Sequence, residues 1–152
     1  MKFNKIQSFA KINLTLKILK KLPNGYHEIE SLISKISLAD EILIKEVNGK
    51  KNKITFNGNF SSGISNSNTI SKLLKILTDQ NHIKNKKFNI KVKKNIPQSS
   101  GMGGGSMNAA SILSYFIKKK MIKTTKKGLI KISNKIGSDV ILGLYDSPVI
   151  LH

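Results

Sequence analysis

The 152 residues fit one ordinary domain and would leave two independent ones cramped. Cysteine is absent, which excludes disulfides, thiolate metal sites and a cysteine nucleophile, and agrees with a reducing, cytoplasmic compartment. A formal charge of +19 invites a nucleic-acid partner, yet all 27 basic residues are Lys, the Arg forks that read base edges are missing, and runs such as Lys118-Lys119-Lys120 read as solvated surface.

No run reaches the roughly 18 apolar residues of a membrane span. The basic, partly apolar start has Ile12, Leu14, Leu16 and Ile18 at a spacing of two, so residues 6–19 read as a strand of mature protein and not as a transit peptide. Pro23-Asn24-Gly25 is a turn, and segments 29–37, 41–47 and 53–57 are further strands. The Asn/Ser-rich stretch 57–68 is a flexible loop. Ile70, Leu73, Leu74 and Leu77 then form one apolar helical face, with Ser67 or Asn68 as N-cap. Phe88, Ile90 and Val92 alternate with polar residues, a half-buried strand that runs into a glycine-rich turn.

After that turn, Ala109, Ala110, Ile112, Leu113, Phe116 and Ile117 predict a helix ending near Lys120, and Leu129, Ile132 and Ile136 a second helix that stops at Gly137. Val140 to Leu144 and Val149 to Leu151 read as two apolar strand pieces joined by a turn at Asp146-Ser147-Pro148. Strands and helices together predict an α+β domain.

The turn itself, Pro97-Gln98-Ser99-Ser100-Gly101-Met102-Gly103-Gly104-Gly105-Ser106-Met107-Asn108, has the composition of a phosphate cradle. Glycines without a Cβ reach positive φ and let consecutive N–H groups converge on an anion, and the helix that follows adds its unpaired N–H groups and dipole. Glycine-rich stretches also serve as plain turns. The Walker A spacing fails because no Gly-Lys pair occurs here, and the dinucleotide fingerprint fails because Ser106 stands at its third glycine with no acidic residue about 20 positions on.

Four pieces in order, Phe9-Ala10-Lys11-Ile12-Asn13-Leu14, Gly25-Tyr26-His27-Glu28, the loop at 97–110 and Gly137-Ser138-Asp139-Val140, resemble the GHMP kinases from residue 8 to about 143. The first two resemble the branch whose acceptor is a cytidine diphosphate-linked methylerythritol. The resemblance implies a mixed, mostly antiparallel sheet packed by helices, an architecture shared with a domain of a small-subunit ribosomal protein. It also implies ATP-dependent phosphorylation of the acceptor's 2-hydroxyl in isoprenoid precursor biosynthesis. Asp139 then corresponds to the catalytic base and Lys11 to its charged partner, which would keep the carboxylate ionised.

Asn13, Tyr26 and His27 correspond to acceptor-binding positions, with Tyr26 stacking on the cytosine and His27 bonding the base edge. Asn68 and Lys94 correspond to positions near the adenine, and Pro97, Ser99, Ser100, Gly101, Met102, Gly103, Gly104, Gly105, Ser106 and Asn108 to those around the phosphates. Magnesium would arrive on the ATP phosphates, with no dedicated protein metal site. No specific nucleic acid or membrane partner is implied. A noncatalytic basic RNA-binding protein is the rival reading, carried by the charge alone, and another GHMP acceptor is a third.

The sequence departs from the family loop at Met102, usually Leu, and at Met107, usually Ser, which is expected to remove a hydroxyl from the phosphate-facing helix. Ser138 stands where Ala is usual and Ile141 where Pro is usual. Residues 1–152 correspond to the family's N-terminal domain, and the reading frame beyond His152 is expected to encode the second domain that closes the cleft.

Overall fold

The computed structural model describes residues 2–151 other than 24 and 26. Its strands are β1 (Asn4–Asn13), β2 (Lys17–Lys21), β3 (His27–Val47), β4 (Lys53–Asn57), β5 (Lys87–Lys93) and β6 (Val149–Leu151). Its helices are α1 (Thr69–Asp79), α2 (Gly104–Lys118) and α3 (Lys126–Ile136), followed by a 3-10 helix at Ser138–Leu144. The sheet runs β1-β3-β5-β4, with β2 and β6 paired to β3. Only the β4–β5 pairing is parallel among the described strands, so the sheet is mixed and mostly antiparallel, as expected.

The locally encoded elements form where the residue pattern places them. Ile70, Leu73, Leu74 and Leu77 are the buried face of α1, and the Asn68 side chain accepts from the N–H groups of Ile70 and Ser71, both at 3.0 Å. In return the Asn68 N–H donates to the Ser71 hydroxyl oxygen at 2.9 Å, closing a reciprocal cap. Phe88, Ile90 and Val92 face inward from β5, and Phe88 meets Phe116 of α2 with ring centroids 4.8 Å apart. One apolar core thus joins the inner sheet face to the helices, and it fixes the direction in which β5 delivers the glycine turn.

Three expectations need correction. The strand expected over 6–19 is two: β1 stops at Asn13, because the next residues turn toward β3, where Thr15 Oγ1 accepts from the Leu32 N–H at 3.0 Å and the Thr15 carbonyl accepts from Ser31 Oγ at 2.6 Å. Conversely, the strands expected at 29–37 and 41–47 are one unbroken strand. The β1–β3 register shifts between Phe9 and Lys11, and the inner row of β3 passes from Ile44, Ile42 and Asp40 to Ile33 and Ser31. That change of phase imitates a break when only the sequence is read.

Residues 140–144 are 3-10 helix and not strand. The Val140 N–H donates to the Gly137 carbonyl at 3.1 Å, and Gly143 comes so near α2 that an added Cβ would lie 2.5 Å from Ala110 Cβ. A short apolar run carries no period that separates the two conformations. Val149–Leu151 does form a strand, on Ser31–Ile33 of β3.

Candidate functional site: a glycine-lined cleft beside a lysine–aspartate pair

A cleft of about 620 Å³ opens where β5 hands over to α2. Asn68, Lys94, Pro97, residues 99–106 other than Met102, and Asn108 line it. Phe56, Ile64, Lys72 and Ile136, which sequence reasoning missed, line it as well. The backbone explains the cradle: Ser99, Gly101 and Gly103 have φ of 55°, 74° and 68°, alternating with residues of negative φ, the pattern that turns successive N–H groups to one side. The first helical bond of α2 is Met107 N–H to the Gly103 carbonyl, so the N–H groups of Gly104, Gly105 and Ser106 precede the ladder, and no side chain caps them.

Space at the turn is limited as well as shaped. A Cβ on Gly104 would stand 3.2 Å from both Ile96 Cγ2 and Lys94 Nζ, so the glycine keeps that part of the cleft open. Asn108 is 2% exposed, and its Oδ1 finds no partner among the described residues. The uncapped helix N-terminus, with its unpaired N–H groups, fits a polyphosphate group, whereas the Asn108 Oδ1, an acceptor, calls for a donor such as water.

Lys94 lines the cleft, yet its ammonium bonds to Asp40 Oδ2 in a buried ion pair. Asp40 Oδ1 accepts from the N–H groups of Asn95 at 2.7 Å and Ile96 at 2.9 Å. The pair therefore anchors the start of the glycine turn to β3. Asp40 carried no sequence signal, since two adjacent acids in Leu38-Ala39-Asp40-Glu41-Ile42 give no sign of which one faces inward.

Lys11 lies on the other side of the turn. The register shift at Phe9/Lys11 places it on the inner face, 8% exposed, where its N–H donates to the Met102 carbonyl at 3.1 Å. That backbone bond is what Met102 contributes. A Cβ on Gly103 would stand 3.2 Å from Lys11 Cγ, so the lysine stem runs directly under the turn. Its Nζ reaches Asn13 Oδ1 at 3.3 Å and Asp139 Oδ2 at 3.5 Å. Asp139 lies in the first turn of the 3-10 helix and is partly exposed, and Ser138 Oγ donates to its Oδ1 at 3.3 Å. The structure thus brings Lys11, Asn13 and Asp139 together beside Gly103 of the turn, although none of the three lines the cleft itself.

Met107 does not face the cleft. Its side chain is buried with Ile33 and Leu142, with Ile141 packed against them, so the expected loss of a phosphate-facing hydroxyl is corrected: position 107 points into the protein. His27 is exposed at the first position of β3, paired with Lys21, and does not line the cleft. Tyr26 lies outside the described residues. No group of three or more His, Cys, Asp or Glu able to hold a metal occurs among the described residues, and no described helix is long and apolar enough to cross a membrane.

An α+β domain with an uncapped glycine turn beside a lysine–aspartate pair has the features of a nucleotide-dependent phosphotransferase domain. Residues 68–152 match the GHMP kinases N terminal domain, and the chain belongs to that family. It is 60% identical over 147 residues, 97% of this chain and 52% of the relative, to 4-diphosphocytidyl-2-C-methyl-D-erythritol kinase of Pelagibacter ubique. The same kinase of Fervidobacterium nodosum is 37% identical over 96% of this chain and 50% of its own length. A crystal structure of 4-(cytidine 5'-diphospho)-2C-methyl-D-erythritol kinase superposes with a TM-score of 0.79 at 23% identity, over 97% of this chain and 51% of that one, a likeness of fold. The chain spans about half the length of the curated relatives it matches.

Proposed function

We propose that residues 1–152 are the nucleotide-binding and catalytic N-terminal domain of a kinase. The full protein would transfer the γ-phosphoryl group of ATP to the 2-hydroxyl of 4-diphosphocytidyl-2-C-methyl-D-erythritol. The observation that carries this reading is the Lys11–Asp139 pair at 3.5 Å, seated against Gly103 of an uncapped glycine turn. Phosphoryl transfer needs an anion cradle and, within reach of it, a group that accepts the proton of the attacking hydroxyl.

In this proposal Asp139 takes that proton, while Lys11 orients the carboxylate and offsets negative charge near the reacting oxygen. Asn13 and the Ser138 hydroxyl restrain the pair from either side. The N–H groups of the glycine turn hold the phosphates, with Asn68 lining the same cleft. Magnesium bound to ATP would supply charge neutralisation of the phosphates, held mainly by phosphate oxygens and water.

The acceptor end is carried by the relatives' names and by β3. His27 and the partner of Asn13, Ile33, lie on one strand, with roughly 20 Å of extended chain between them. A long, diphosphate-linked acceptor suits that span better than a short alcohol. A second domain, in the half of the relatives that this chain does not cover, would complete the acceptor site. The reading is tested by measuring ADP release from ATP by the complete protein with three acceptors: the cytidine diphosphate alcohol, mevalonate and homoserine. Turnover with the first is expected; turnover confined to either of the others overturns the acceptor assignment.

A further inference from the structure

Three lysines border the cleft or its glycine turn, and two are neutralised. Lys94 is paired with Asp40, and Lys11 lies 3.5 Å from an Asp139 oxygen. The third, Lys72 of α1, lines the cleft, and among the described residues no carboxylate pairs with it. Its Nζ donates to a neutral group, the main-chain carbonyl of Ile136 at 3.2 Å. Ile136 is the last residue of α3 and itself lines the cleft, so the carbonyl end of that helix brings partial negative charge beside the turn.

The position of Lys72 is fixed from α1. Thr69, one turn earlier on the same helix face, donates its hydroxyl to the Gly105 carbonyl at 2.7 Å, pinning α1 against the first turn of α2. Lys72 therefore overhangs the cleft from the side of the helix that touches the glycine turn. Resting on the nucleotide reading above, we propose that Lys72 is a phosphate-binding residue that supplies the uncompensated positive charge of the cleft. An ammonium has three donors, so it can keep the Ile136 carbonyl while donating to a phosphate oxygen. Phosphate binding is thereby coupled to the end of α3, immediately ahead of the Gly137-Ser138-Asp139 segment.

The test is calorimetric binding of MgATP, AMP and inorganic tripolyphosphate to the full-length protein and its Lys72→Met and Lys72→Arg variants, with thermal unfolding alongside. Lys72→Met should weaken ATP and tripolyphosphate about tenfold or more, the scale of a lost charge-assisted bond, and leave AMP and the unfolding midpoint nearly unchanged. Lys72→Arg should restore most of the loss. Unaltered tripolyphosphate and ATP binding in Lys72→Met overturns the proposal, as does an equal loss of AMP binding, which marks a purely structural role. Lys72→Gln replaces Met if that variant does not fold. Lys72-dependent tripolyphosphate binding with no ATP binding would keep this proposal and remove the nucleotide reading, whereas ATP binding indifferent to Lys72 would do the reverse. A wild-type protein that binds neither ligand removes both.

Discussion

Asp40 of β3 holds Lys94 with one carboxylate oxygen and the N–H groups of Asn95 and Ile96 with the other, so a single buried acid ties the root of the glycine turn to the middle of the sheet. Its replacement by Ala leaves the Lys94 ammonium buried without a counter-charge and two N–H groups without an acceptor. Asp40→Ala is expected to lower unfolding stability by about 3–5 kcal/mol, the scale of a broken buried pair. Urea denaturation checks this, and a loss below about 1 kcal/mol, the scale of an exposed pair, would show that the anchor is not needed.

Gly58 supports the same lysine from the other side. Its φ is +93°, and an added Cβ would lie 2.7 Å from the Lys94 carbonyl oxygen, a backbone atom that cannot swing away. Gly63, in the same connection, also has positive φ, at +76°, but faces open space. Gly63→Ala should therefore cost about 1–2 kcal/mol, the left-handed penalty alone, and Gly58→Ala measurably more. Thermal melts of the two variants give the comparison, and equal losses would mean that the connection relaxes around the new methyl group.

Asn68 lines the cleft and caps α1. Asn68→Ala removes the acceptor for two N–H groups and should cost about 1 kcal/mol, whereas Asn68→Asp keeps an acceptor and should cost less. Denaturant midpoints of the pair check the order. An Ala variant as stable as the Asp variant would remove the cap from the account.

The elements legible in the sequence are those whose signal is local. The stripe of Ile70, Leu73, Leu74 and Leu77 with its Asn68 cap, the alternation of Phe88, Ile90 and Val92, and the glycine cluster each carry their own period or backbone chemistry within a dozen or so residues. What escaped depends on partners far along the chain. Asp40 is buried because β3 pairs with β1 on one edge and β5 on the other, and Lys72 borders the cleft because Thr69 pins α1 to Gly105. Lys11 faces inward through a register shift that alternation alone would not have supplied. The direction of position 107 is illegible for a related reason: the first turn of α2 has one side toward the cleft and another toward Leu142, and only the packed helix fixes which residue takes which side.

In the proposed mechanism Asp139, held by Lys11, accepts a proton from an alcohol phosphorylated by ATP. The measurement that reaches it most directly is the initial rate of ATP-dependent phosphorylation of the cytidine diphosphate alcohol by the complete protein and by Asp139→Asn, at saturating ATP. The variant keeps the shape of the side chain and removes the base, so the turnover number should fall by about 10²–10⁴-fold while unfolding stability changes little. Equal turnover by the two proteins would contradict the account.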